Sequence, residues 1–388
     1  MVNLFQLWLM TVAAGAAVAS NYYPQPLLDS IASEFGVSYA AVGIIVTASQ
    51  VGYGAALLLL VPLGDKFEKR SLITGMLVLT ALGLLTSGLS SNLNMLLLGT
   101  AMTGIFSAVT QMLVPFAALL APADSKGRAV GMVMSGLLIG ILLGRTVSGA
   151  LASLGSWRTV YFVAALGLLV LAALIWRNLP THKSQTRIVY SALIASVIRL
   201  LVHQPVLRLR ALLGFCSFIL FSLFWTPLAF LLSNPPYLYS EAVIGLFGLA
   251  GVAGALAANW AGKAADRGYN REASLAALMI LLLSWLPLGF AKTSLWALIL
   301  GVILLDLAAQ LLHVSNMSAV MKINPDMRNR LNAGYMTTYF LGGALGSLMA
   351  AAIYQYAGWD GITLTGVIVA LTGLVLGGYA LYRPGNSS

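Results

Sequence analysis

PLGDKFEKR, residues 62–70, and GKAADRGYNR, residues 262–271, set an aspartate before basic residues twice in one chain, with Asp65 and Asp266 201 positions apart. Further pairs keep the same order at a spacing of 202: Asp124 and Asp326, Arg128 and Arg330, Gly140 and Gly342, Gly144 and Gly346, Trp157 and Trp359. Chance supplies one such match, whereas the whole series argues for a duplicated unit. The segments between the matched positions decide what kind of unit it is.

Of the 388 residues, 60% are hydrophobic and 8% are charged. A soluble domain carries about a quarter charged residues, so lipid must be the solvent for most of these side chains. About 20 apolar residues cross a hydrocarbon core about 30 Å thick. Runs of that kind lie near 5–26, 40–63, 71–90, 93–120, 129–153 and 159–177, then near 211–232, 241–263, 273–290, 294–318, 331–354 and 361–382. They do not alternate, which excludes a membrane barrel and leaves helices. The expected fold is all-α and integral to the membrane, with twelve transmembrane helices in two six-helix pseudo-repeats. The halves cover residues 1–180 and 211–388, and residues 181–210 form a central loop. Within that loop, residues 188–202 are apolar but short, with Arg187 before them and Arg199 inside, and read as an amphipathic helix on the membrane surface. The segment from Phe5 to Pro26 lacks a basic leader and reads as the first span rather than a cleaved signal.

The net charge of +10 is unevenly placed. Lys66, Lys69, Arg70, Lys126, Arg128, the cluster from Arg177 to Arg210, Lys263, Arg267, Arg271, Lys322, Arg328, Arg330 and Arg383 fall in alternate loops. The opposite loops hold Asp29, Glu34, Glu241 and Asp360, with Arg158 and Lys292 as their basic residues. By the positive-inside rule the basic loops and both termini are expected to be cytoplasmic, in a multi-pass protein of the cell inner membrane. This placement also argues against a nucleic-acid partner. Cys216 stands alone, and His182, His203 and His313 lack metal-ligand spacing. No GxxxxGK[ST], HExxH or GxSxG motif is present, so neither an enzyme nor a bound cofactor is expected. Energy would come from the proton gradient.

With these halves in place, the chain resembles the major facilitator superfamily, most of all its twelve-helix drug/proton antiporter and small-solute exporter branch. The resemblance spans the whole length. It rests on the two acidic–basic loops, on GILLGRTVSG (140–149) followed by SWRTVYF (156–162), and on YMTTYFLGGALGS (335–347). It implies a cytoplasmic gate at Asp65, Lys66, Lys69 and Arg70, repeated at Asp266 and Arg267. Here Val61 and Glu68 stand where the family has glycines. Gly136, Gly140 and Gly144 recur every four residues, as do Gly342 and Gly346, so each set shares one helix face. The family's GxxxGP pattern at this place implies a flexible seam between the halves, although Arg145 replaces the proline. The family's antiporters also carry an arginine in the fourth span where this chain has Thr100.

Arg145 and Asp306 are the deep charges. A cation near mid-membrane costs at least ~2.5–3.5 kcal/mol, so a partner or a wet cavity is required. Arg145 lies nine residues from the expected end of span 5 near Leu154, and Asp306 eleven from the start of span 10 near Leu295, which gives similar depths. The resemblance makes spans 5 and 10 neighbours. Arg145 and Asp306 are therefore expected to pair and to couple transport to protons, with His313 a relay or a plain helix–helix hydrogen bond. Polar stripes on spans normally face a cavity. The expected substrate cavity is lined by Asn21, Tyr22, Gln25, Gln50, Thr100, Thr103, Ser107, Gln111, Gln310, Tyr335 and Tyr339. Spans 3, 6, 9 and 12 hold almost no polar residues and are expected at the lipid rim.

The expected activity is export of a small, amphipathic organic solute or drug by proton antiport with alternating access. The alternatives are proton-coupled import and a weakly coupled relative. The expected partners are the lipid bilayer and the small-molecule substrate, with a monomer as the working unit.

Overall fold

Asn3 opens the first helix by accepting the backbone N–H of Gln6, whose side chain returns a bond to the Asn3 amide. That reciprocal cap satisfies two donors a helix start leaves bare. Asn92 and Ser294 cap later helices with one bond each, accepting from Met95 N–H and Ala297 N–H. The computed structural model describes residues 3–122, 125–182, 190–251, 269–324 and 327–382, with Asp65, Ala380 and Tyr382 described by backbone alone. All secondary structure among these residues is helical.

The elements are α1 (Leu4–Ala19), α2 (Leu28–Phe35), α3 (Tyr39–Leu59), α4 (Lys69–Gly88), α5 (Leu93–Ser107), α6 (Thr110–Leu120), α7 (Lys126–Ala152) and α8 (Arg158–Asn178). There follow α9 (Tyr190–His203), α10 (Pro205–Trp225), α11 (Leu228–Ser233), α12 (Glu241–Leu246), α13 (Asn270–Gly289), α14 (Leu295–Met321) and α15 (Arg328–Tyr382). Among the described residues, nine helical stretches are long and apolar enough to cross a membrane. One of them, α15, is two spans joined at Gly358, whose φ of 58° and ψ of −154° are non-helical. Only glycine adopts that region without strain. The first span is α1, and the eighth begins in α12 and the short turn Phe247–Gly251 before leaving the described residues.

Three spans expected to be continuous are interrupted. Span 1 breaks between Ala19 and Gln25, span 4 between Ser107 and Thr110, and span 7 between Trp225 and Leu228. Span 7 also begins six residues earlier than expected, because Pro205 stands at the first helical position, where its fixed φ favours a start. Arg208 and Arg210 are thereby helical. The amphipathic segment forms α9, at 14 residues too short to span, with Val197 as its buried residue.

The chain divides into two compact units. One contains the residues up to 37 together with 48–192 and 239–248; the other contains 38–47, 193–238 and 249–388. Helix pairing is the same in each. In the first unit α1 packs on α7, and α4 packs on α5 and α8; in the second α10 packs on α15, and α13 packs on α14 and α15. The duplication read from scattered residues is thus a duplication of packing. Among the nine long stretches span 7 is the most enclosed, with 89% of its most apolar window buried, against 33% in span 6 and 50% in span 3, both expected at the rim. Span 5 also shows only 33%, because Ile139, Leu143 and Val147 are exposed on the face away from its glycines.

Candidate functional site

In the first unit the polar residues gather at the helix breaks. Asn21 lies in the turn after α1, donates to Ser107 Oγ at 2.8 Å and accepts from Ser49 Oγ at 2.7 Å. Spans 1, 2 and 4 therefore meet through one buried triad. Gln111, just past the break in span 4, donates to the Tyr53 hydroxyl at 3.2 Å. Gln50 is buried, and its Oε1 has no hydrogen-bond partner in the structure. Broken helices leave backbone and side-chain groups for neighbours or solutes, which is why membrane transporters place sites there.

Arg145 is 3% exposed. Its Nε donates to Gln25 Oε1, and its guanidinium lies 4.7 Å from the centre of the Tyr22 ring. One turn on, Ser148 Oγ donates to the Tyr23 carbonyl at 2.7 Å and fixes the same turn. Two expected cavity residues bond within their own helix. Thr100 and Thr103 hydroxyls donate to the Leu96 and Gly99 carbonyls of their own helix, and Thr103 packs against Gly83 of α4. Threonine makes such bonds to the carbonyl four residues back wherever no better partner is present.

In the second unit Asp306 is 6% exposed, and its Oδ1 accepts a 3.0 Å bond from Trp225 Nε1. Trp225 ends α10, immediately before the span 7 break. Sequence reasoning missed it; the available signal was an indole donor at the end of an aromatic-rich span. One turn along α14 from Asp306, Gln310 is half-buried. His313 Nδ1 and the Tyr335 hydroxyl are 3.1 Å apart, and Tyr339 lies 4.7 Å from the His313 ring and stacks on Phe218 at 4.2 Å. His313 thus makes the helix–helix hydrogen bond that was one of its two expected roles. Arg145 and Asp306 fall in different units, each with the partners named here.

The glycine faces form tight seams. A side chain at Gly136 or Gly140 would strike Thr11 or Gly15 of α1, and one at Gly144 would meet Ala19. Gly342 and Gly346 face Phe215 and Ile219 of α10 in the same way. These seams lie inside each unit, between spans 1 and 5 and between spans 7 and 11, where the resemblance implied a boundary between the halves. The cause is backbone contact itself, which only a residue without a side chain permits.

A third set of contacts joins segments exchanged between the sequence halves. Residues 38–47 open span 2 yet pack in the second unit, and residues 239–248 open span 8 yet pack in the first, at an offset of 201. Tyr39 stacks on Phe230 at 4.1 Å, its N–H reaches Gln355 Oε1, and Thr47 Oγ1 lies 2.9 Å from Ser347 Oγ. In the partner crossing, Thr146 Oγ1 donates to the Gly245 carbonyl at 2.9 Å, and Gly149 abuts Glu241. Gly43 and Gly245 are the close-approach residues, against Ala351 and Arg145, again 202 apart. The basic residues on this side are neutralised: Arg158 pairs with Glu34, and Lys292 with Asp360.

At the opposite ends, Lys66 is exposed and Lys69 half-buried. Lys69 N–H bonds the His182 carbonyl, and Arg70 reaches the Leu179 carbonyl at 3.3 Å while lying over the Trp176 ring. Glu68, where the resembling family has glycine, caps α4 through the Arg70 and Ser71 amides and also accepts the His182 amide. Burial pushes its carboxyl up, but the Ser71 hydroxyl and these three amides outweigh that and bring it down to about 2. The side chain of Asp65, and all of Asp124, Asp266, Arg267 and Asp326, lie outside the described residues.

The family model described as Major Facilitator Superfamily matches residues 8–271 and 237–387. This chain belongs to the Major Facilitator Superfamily. It is a multi-pass membrane transporter and not an enzyme. It is 52% identical to the "putative uncharacterized transporter YgaY" of Escherichia coli over 95% of this chain and 93% of that one. It is 24% identical to a "probable sugar efflux transporter" of Helicobacter pylori over 96% of this superfamily member and 94% of the relative. Its fold matches the crystal structure of a bacterial homolog of the human lysosomal transporter Spinster, with a TM-score of 0.77 at 13% identity, covering 97% and 96% of the two chains.

Proposed function

We propose that this facilitator exports a small, amphipathic organic solute from the cytoplasm across the cell inner membrane in exchange for protons. The observation that carries this reading is Asp306: a buried carboxylate held by an indole donor, on a helix whose same face bears Gln310 and His313. A carboxylate at that depth is retained at a cost and marks an ion or proton route. Coupling runs through Asp306 and, in the first unit, Arg145, with His313 near the basic-loop end. The basic loops and both termini are cytoplasmic in this reading, which the pairing of Arg158 and Lys292 with carboxylates on the other side supports.

Export is favoured by the efflux activity that the Helicobacter relative's name carries. Alternating access requires contacts that form in one state and break in the other. The crossings Thr47–Ser347 and Thr146–Gly245 fit that role at the non-cytoplasmic end. The test uses proteoliposomes under an imposed proton gradient and a solute panel that includes sugars. The expected result is gradient-driven movement opposite to proton flow, lost in Asp306→Asn and in Arg145→Ala. Full proton-driven exchange in both variants rejects the coupling assignment, and movement along with protons rejects export.

A further inference from the structure

Arg210 is 7% exposed inside α10. Its Nη1 donates to Ser274 Oγ at 2.6 Å and to Asn316 Oδ1 at 3.3 Å. Ser274 passes its own proton to the Asn270 carbonyl, so the hydroxyl adds no negative charge. The amide nitrogen of Asn316 is buried and makes no hydrogen bond of good geometry, the Tyr335 hydroxyl being the neighbouring polar group. Tyr335, on the adjacent arm of α15, is fully buried and lies against Gly214, one turn along α10. Arg210 is five residues from the start of α10, Ser274 four from the start of α13, Asn316 five from the end of α14 and Tyr335 seven from the start of α15. At 1.5 Å per residue all lie about 6–11 Å from the ends that carry the basic loops.

Every hydrogen-bond partner of Arg210 among the described residues is neutral. A guanidinium does not shed its proton in proteins, so its charge persists at this depth. A buried cation whose partners among the described residues are all neutral is costly to keep in a membrane protein. Its flat fork matches a carboxylate or a phosphate, and an amide N–H adds a third donor of the same kind. Asp306 belongs elsewhere, ten residues back along α14 from Asn316, about 15 Å away.

We propose that Arg210 and Asn316, with Ser274 holding the guanidinium in place, form a binding site for an anionic group, the carboxylate or phosphate of a small solute that enters from the basic-loop side. The site rests on the transport reading only for the compartment from which that solute arrives. Binding is therefore measured without transport, and a failed flux assay leaves it standing. The purified full chain in neutral detergent is titrated with benzoate, with inorganic phosphate, and with micelles containing phosphatidylglycerol. Each is compared with chloride at matched ionic strength while thermal unfolding is followed. Benzoate or phosphate is expected to raise the midpoint by about 3 °C or more near saturation, and Arg210→Gln to abolish the shift. Asn316→Asp places a carboxylate beside Arg210; it is expected to raise the ligand-free midpoint and to remove the anion effect.

A shift with phosphatidylglycerol alone supports the site with a lipid headgroup as its occupant. No shift with any of the three anions overturns the proposal, as does a shift that survives both variants. It also fails if Asp266→Asn or Asp326→Asn lowers the midpoint as Arg210→Gln does, because the counter-ion is then the chain's own.

Discussion

Trp225 gives its indole proton to Asp306 Oδ1 at 3.0 Å, joining the broken end of span 7 to the deepest carboxylate placed on span 10. A hydrogen bond to a charged group contributes about 1.5–3 kcal/mol, or roughly tenfold or more in a rate that depends on it. Trp225→Phe keeps an aromatic ring, though a smaller one, and removes the donor. It is expected to slow proton-driven exchange about tenfold while the protein remains folded. Asp306→Asn, by contrast, is expected to abolish accumulation against a gradient and to retain counterflow of labelled solute. Equal proton dependence in wild type and Asp306→Asn removes this carboxylate from the mechanism.

Thr47 Oγ1 and Ser347 Oγ, 2.9 Å apart, mark one exchanged crossing. Paired cysteines there are expected to form a disulfide under mild oxidation, because the two side chains already point at each other. Cys216 is buried and should not compete. If the crossing opens during transport, oxidation of Thr47→Cys/Ser347→Cys stops flux and reductant restores it. Undiminished flux through a fully cross-linked protein rejects a moving crossing.

Much of this was legible in the sequence. The duplicated loop signs pointed to two related helix sets, and the glycine spacing to close-packed faces, because both depend on spacing, which sequence displays; which helix each face meets does not. Asp306 and Arg145 stood out because charge inside an apolar run needs no structure to be noticed. Arg210 did not stand out: it sat in a basic cluster, and only the start of α10 at Pro205 made it buried. The breaks in spans 1 and 7 carried a signal that the apolar runs masked, Asn21 and Pro24 in one and Pro227 in the other, whereas the break at Ala108 and Val109 in span 4 lies in apolar sequence and was hidden. The hydroxyl bonds of Thr100 and Thr103 to their own helix were unreadable too, since spacing shows which face a threonine occupies but not where its proton goes.

Glu68 replaces a family glycine with a helix cap that also fastens His182. Its folded-state pKa, about 2, is depressed below the unfolded carboxylate value. Its stabilising contribution is therefore fully present above about pH 5 and is lost as pH falls through 4 toward 2. Glu68→Gln is expected to lower the thermal midpoint at pH 7, by an amount typical of a lost cap, about 1 kcal/mol. Between pH 5 and 8 the gap between variant and wild type should stay constant, then close in acid. A gap that grows as pH falls contradicts the assignment.

Gly140 and Gly131 sit on one helix, α7, in opposite circumstances. Gly140 faces Gly15 so closely that an added methyl would strike the Gly15 carbonyl oxygen, whereas Gly131 has nothing within 4 Å of the same position. Alanine favours the helix interior by roughly 0.5–1 kcal/mol over glycine, so Gly131→Ala is expected to raise the midpoint slightly. At Gly140 that gain is exceeded by the cost of overpacking a seam made of backbone, about 1–3 kcal/mol. Gly140→Ala should therefore lower the midpoint by several degrees, and Gly140→Leu should abolish recovery of folded protein. Both helix starts and caps are unchanged in these variants, so helix propensity pushes the two alanines the same way. Opposite signs in the measurement then isolate contact with α1 as the cause, and equal signs show that the seam tolerates separation.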